Sequence, residues 1–184
     1  RQLKTNMKRS TATLLIGLAL VLPGCVVTSL HPFYAEDDLV SVPALVGKWT
    51  VEKEGEVSQE VVEFKQDGEK SYRIVTEPAA GTTEESLARF FKLGDQLFMD
   101  LCPTKNSGPE FIPVHRVFKA SLSSRSLALA EMKYDWLEEL LEENAGAIRH
   151  EVIQERDHEG KEHRRIVLTA STKELQEWLR GNAE

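Results

Sequence analysis

The sequence predicts a mainly β domain with two short helices, folded as an antiparallel barrel or a strongly curled sheet. Three observations predict it. From Gly47 onward, apolar and polar residues alternate with period two in nine separate runs, the pattern of half-buried strands. These runs are short and are punctuated by turn residues such as Asp67-Gly68 and Gly94-Asp95, which favour hairpins. Only two stretches, 134–144 and 172–181, change to the helical period. A sheet of so many strands in one domain is accommodated by closing it or curling it strongly.

The runs follow in order. Residues 48–52 form the first. Residues 60–66 and 71–77 flank Asp67-Gly68, so that Val62, Phe64, Tyr72 and Ile74 share a face. Residues 86–93 and 96–101 flank Gly94-Asp95, with Leu87, Phe91 and Leu93 and then Leu97, Met99 and Leu101 as the alternating apolar positions. Residues 111–122 and 126–132 pair across Ser123-Ser124. Pro113 has no N–H for a ladder, so that strand is expected to start late or lie at an edge there. Residues 148–155 and 163–170 make the last hairpin, across the charged turn 157–161.

The helices are read from their faces. In 134–144, Trp136, Leu137, Leu140 and Leu141 fall on one side and Glu138, Glu139, Glu142 and Glu143 around the other, with Gly146 as the stop. In 172–181, Ser171 and Glu174 have the spacing of a capping box, and Leu175, Trp178 and Leu179 mark the buried face.

The opening of the chain has a different character. Residues 7–25 read MKRSTATLLIGLALVLPGC: Lys8 and Arg9, then an apolar run from Ala12 to Leu22, then Pro23-Gly24-Cys25. That is the layout of a secretory signal peptide. A bilayer span needs roughly 20 apolar residues, and Pro23-Gly24 interrupts this run first. Residues 1–24 are therefore expected to be a leader, cut between Gly24 and Cys25, with 1–6 an upstream extension of a start at Met7.

Leu22 to Cys25 resembles the lipobox of bacterial lipoproteins, although Pro23 departs from the small or aliphatic residue usual in that family. The resemblance implies a diacylglyceryl group on the Cys25 sulfur, cleavage before that residue and acylation of the new amino terminus. It also implies a place. Val26 stands where an Asp would retain the protein at an inner membrane, so a Gram-negative host would carry it on the outer membrane, facing the periplasm. Acyl chains contribute about 0.8 kcal/mol per buried CH₂, and more than one chain makes attachment stable.

Charge and cysteines narrow the partners. Of the 23 basic residues, Arg1, Lys4, Lys8 and Arg9 lie in the leader and none of the 30 acidic residues does, leaving 19 against 30 and a net charge of −11. Nucleic-acid binding needs clustered Lys and Arg to neutralise phosphates, so that partner is excluded. With Cys25 taken by lipid, Cys102 has no disulfide partner and reads as a small, buried apolar residue. Residues 25–43 read as the lipidated cysteine and a tether, with 26–29 mobile and Leu30, Phe33, Tyr34, Leu39 and Val40 lying against a single domain over 44–184.

Gly47-Lys48-Trp49 opens the first long strand, and here the chain resembles lipocalins and the wider calycin group, whose first barrel strand begins Gly-x-Trp. The resemblance implies that Gly47 permits the turn out of a short helix and that Trp49 plugs the closed end of a barrel. A buried indole also needs one acceptor for its N–H. A closed barrel of about eight strands can hold one small apolar ligand, and Phe64, Tyr72, Phe91, Met99 and Phe118 are its candidate lining residues.

No cofactor or metal is expected, and the chain is read as not an enzyme. His150, His158 and His163 lie along the last hairpin and around its flexible charged turn, without the convergent spacing zinc needs. No Gly-x-Ser-x-Gly, HExxH or phosphate-cradling loop is present. His115, beside Arg116, reads as a strand-face residue. The expectation is thus a lipid-anchored envelope protein that binds a small apolar ligand, or else a structural lipoprotein that meets an envelope protein through its outer face.

Overall fold

The computed structural model describes Thr13–Leu14 and residues 26–53, 56–77, 83–104, 112–156, 160 and 162–183. The rest of the expected leader, including Gly24, and Cys25, the expected site of lipidation, lie outside the described residues. All nine alternating runs are strands: β4 (Gly47–Lys53), β5 (Glu56–Gln66), β6 (Ser71–Glu77), β7 (Glu84–Leu93), β8 (Gln96–Pro103), β9 (Arg116–Leu122), β10 (Leu127–Glu131), β11 (His150–Arg156) and β12 (Glu162–Leu168). Three very short strands were not expected: β1 (Thr13–Leu14), β2 (Val27–Ser29) and β3 (Leu39–Val40). The helices are α1 (Tyr134–Glu143) and α2 (Thr172–Asn182).

Strands β4 to β10 pair neighbour to neighbour, all antiparallel, in one strongly curled sheet that forms a half-barrel. β1 adds to the β4 edge in parallel, and β3 pairs with β7 through Leu39↔Phe91 and Val40↔Phe90. The order of β4 to β10 follows the chain, as consecutive elements usually lie side by side; the longest connection, between β8 and β9, spans residues 104–115. At β7–β8 the pair Leu93↔Gln96 leaves the two-residue turn Gly94-Asp95, and Gly94 takes φ +63°, which favours glycine. At the Asp67-Gly68 turn β5 ends at Gln66 and β6 begins at Ser71, as the sequence predicts. Asp67 N–H donates to the Ser71 carbonyl at 2.9 Å, so the loop is Gly68 to Lys70.

A second, three-stranded sheet runs β11-β12-β2, and here the expectation for the tether is corrected. Residues 27–29 are not mobile. They pair in parallel with β12 (Ile166↔Val27, Val167↔Thr28, Leu168↔Ser29), and Ser29 also exchanges backbone bonds with His115. The physical reason is that an edge strand leaves a row of N–H and C=O groups unpaired, and β2 fills the β12 edge. The segment beyond β2 is equally fixed: Phe33, Tyr34, Leu39 and Val42 are all buried. Residues 27–43 thus belong to the folded body.

The sheet is packed on both faces, giving two cores. On one face the curled sheet closes over its own side chains, with Trp49, Val62, Phe64, Tyr72, Phe90, Met99, Phe118 and Leu127 among them. On the other, Phe91, Phe98 and Val117 meet the 27–39 segment, β12 and both helices, through Phe33, Leu137, Ile166, Leu175 and Trp178.

The start of α2 shows how local chemistry fixes an element. Ser171 is its N-cap, and the Glu174 carboxylate accepts from the Ser171 N–H at 2.8 Å and hydroxyl at 2.5 Å. Arg149 donates to the same carboxylate at 2.5 Å. The Ser171 hydroxyl, and then Arg149, lower the Glu174 pKa from its ordinary 4.5 to about 2. A depressed carboxyl pKa stabilises the fold above the unfolded value and ceases to do so as pH falls through the folded one. Urea midpoints should therefore show native protein ahead of Glu174→Gln at pH 6, with the gap closing between pH 4.5 and about 2. A gap independent of pH would rule the carboxylate out as its source.

Candidate ligand-binding groove

The five residues expected to line a barrel cavity are all buried, with exposures of 0–2%. They do not share one face. Phe64, Tyr72, Met99 and Phe118 lie in the core that the curled sheet closes over, whereas Phe91 lies in the other core, stacked on Phe98 with ring centroids 5.4 Å apart. Register explains the split: Phe90 is opposite Met99 and Phe91 opposite Phe98, so Phe91 and Met99 point to opposite sides. Phe64, Tyr72, Met99 and Phe118 pack there against neighbours of the same core. The Tyr72 ring meets Phe90 edge-on at 5.9 Å, and its hydroxyl accepts the Val42 N–H at 2.6 Å.

Trp49 sits in the same core. Its indole N–H donates to the Leu45 carbonyl at 2.7 Å, the acceptor that a buried Trp requires. Leu45 belongs to a 3₁₀ turn, Pro43–Leu45, and Gly47 follows with φ +135°, a conformation that side chains with a Cβ rarely adopt. The Gly-x-Trp triplet thus turns the chain out of that 3₁₀ turn and seats the ring.

On the opposite face lies a polar cluster that the sequence did not reveal. Asp100 is 1% exposed; its Oδ2 accepts the Phe33 N–H at 3.0 Å and its Oδ1 faces His115 Nδ1 at 2.8 Å. Gln176 donates to the Phe33 carbonyl at 3.2 Å and to Asp38 at 2.8 Å, and Thr172 donates to the Pro32 carbonyl at 2.8 Å. The Arg89 guanidinium lies 5.4 Å over the Tyr34 ring. Burial pushes the Tyr34 hydroxyl up despite that cation. Cys102 is half-buried with a free thiol, raised first by burial and then by the Asp100 carboxylate. A nucleophilic thiol needs the opposite shift. The cluster is a clasp: it ties the 29–38 segment to β8, to His115 just before β9, and to α2.

A concavity among the described residues lies elsewhere, between α1, α2 and the β8–β10 part of the sheet. It is a groove of about 440 Å³ lined by Phe98, Val117, Ala130, Met132, Trp136, Trp178, Leu179 and Ala183, with Lys119, Glu131, Lys133 and Asn182 as its polar members. Three elements build it. Phe98, Lys119 and Ala130 form a row across β8, β9 and β10 and make the floor. α1 and α2 make the walls, where Trp136 and Trp178 meet with ring centroids 5.8 Å apart at 45°. Trp178 is buried, while Trp136 is 38% exposed. The only sequence signal for this site was that each helix carries a Trp on its apolar face.

Among the described residues, no three His, Cys, Asp or Glu side chains converge to hold a metal. His150 Nδ1 lies 2.9 Å from the Ile148 carbonyl, while His158 and the side chain of His163 fall outside the described residues. No helix among the described residues is long and apolar enough to cross a membrane. No protein-family model, curated protein or solved structure matches this chain.

Proposed function

We propose that the chain is a lipid-anchored protein of the bacterial envelope whose body binds a small apolar ligand in the groove between the helices and the sheet. The observation that carries ligand binding is the groove itself: about 440 Å³, with eight apolar lining residues of twelve. Small-molecule sites are typically ~300–1,000 Å³, mostly apolar, with a few placed polar groups. This reading puts the ligand between the helices and the outer face of the sheet, beside Phe98 and Val117. Export and anchoring rest on Lys8, Arg9, the apolar run and Gly24-Cys25, which support attachment through acyl chains on Cys25 and, in a Gram-negative host, an outer-membrane position facing the periplasm. The body acts by binding and has no catalytic role.

A second reading has an observation of its own. Trp136, at 38% exposure on the groove wall, is the kind of aromatic that anchors protein interfaces, so an envelope protein could cover the groove instead. Two measurements decide. Cys25→Ser should move the protein from the membrane fraction to the soluble periplasmic one; retention in the membrane would mean that residues 7–24 act as a span. Native mass spectrometry of the exported full chain carrying Cys25→Ser should show a bound small molecule that leaves only on denaturation. A bare mass, with a protein partner cross-linked through the groove, would establish the second reading in its place.

A further inference from the structure

The polar groups around the groove are unequal in what they can still offer. Glu131 is ion-paired: its Oε1 accepts from Arg116 Nε at 2.9 Å and from a second guanidinium nitrogen at 2.5 Å. Asn182 donates to the Trp178 carbonyl at 2.8 Å. Lys119 is half-buried and donates one N–H to the Ala183 carbonyl at 2.6 Å. An ammonium has three donors and no acceptor, so two have no partner among the described residues and can serve a ligand. Lys133 stands exposed on the rim as the N-cap residue of α1, which has no side-chain cap on its first-turn N–H groups. The first turn of α1 carries the positive end of the helix dipole and holds one acidic residue, Asp135. In a chain of net charge −7, the groove thus keeps unspent cationic donors beside an aromatic, apolar floor and walls.

We infer that the groove takes a single-chain amphiphile with a carboxylate head, the head on Lys119 and the chain along Met132, Trp136 and Trp178. This rests on the groove being the binding site proposed above and names the chemistry of its ligand. A neutral apolar molecule would leave the Lys119 donors without an acceptor when it displaced water from them, a cost a carboxylate avoids. A cationic amphiphile would meet like charge.

The test separates the head from the groove. Decanoate and decanol have the same chain length and differ at the head, and both can be titrated calorimetrically into the full chain carrying Cys25→Ser. Decanoate should bind at least about tenfold tighter than decanol. Lys119→Met keeps an unbranched stem against the floor and should bring the two affinities within about twofold, while Lys119→Arg should restore the preference. Trp136→Ala should weaken both ligands about tenfold. Thermal melts of each variant identify any that does not fold, and Lys119→Arg then carries the comparison. Equal affinities in the unsubstituted groove, or a preference that survives Lys119→Met, would overturn the carboxylate assignment and leave the apolar groove standing. Binding of neither molecule, or binding indifferent to Trp136→Ala, would overturn the groove reading itself.

Discussion

Asp100→Ala is expected to destabilise the fold by about 3–5 kcal/mol. This side chain makes two hydrogen bonds, and leaving a buried partner unsatisfied costs roughly 1–3 kcal/mol each. The substitution leaves the Phe33 N–H and the His115 ring nitrogen facing a buried space with no acceptor. Asp100→Asn should cost less than half as much. Its amide oxygen can accept the Phe33 N–H, and its NH₂ can donate to the other His115 tautomer. The loss should also be local in character. Hydrogen exchange should accelerate in residues 27–38, which the clasp ties down, before it does in the core around Trp49. Unfolding free energies from urea titration that differ by less than about 0.5 kcal/mol between Asp100→Ala and the native protein would show that the clasp does not hold the segment.

Trp49→Ala carries the other large effect, about 3–5 kcal/mol, the usual cost of removing a buried Trp. Part is the cavity among Val62, Phe64 and their neighbours, and part is the Leu45 carbonyl left without its donor. Trp49→Phe separates the two parts, since it keeps most of the ring volume and loses the hydrogen bond, and about 1–2 kcal/mol is expected for it. If both variants melt with the native protein, Trp49 is not the seal of that core.

The strands and helices were legible because each repeats a pattern over enough residues to be read. Nine alternating runs became nine strands, and the late start of β9 follows from Pro113. The capping box at Ser171 and Glu174 is present as spaced. β2 and β3 were not legible, because two or three residues carry no period and their partners lie far away in sequence: Val27 pairs with Ile166. Phe91 was placed on the wrong side for a related reason. Phe90 and Phe91 are adjacent and both buried, since this sheet is covered on both faces. Alternation marks which side is buried only when the other side is wet.

The groove is harder still to read from a sequence. Its floor comes from three strands and its walls from two helices whose tryptophans are 42 positions apart. Nothing local in Trp136 announces that it will meet Trp178. The Asp100 clasp was hidden in the same way, because its acceptor, donor and imidazole come from β8, the segment after β2 and the residue before β9.

The position of β2 bears on how an anchored molecule would behave. Only Val26 separates Cys25 from Val27, the first residue paired in the folded body. Two residues of extended chain span roughly 7 Å. Acyl chains on Cys25 would hold such a body on a very short leash, with almost no radius to explore above the bilayer. The end of the three-stranded sheet where β12 begins would lie nearest the headgroups, and the body's orientation would be inherited from the direction of one strand.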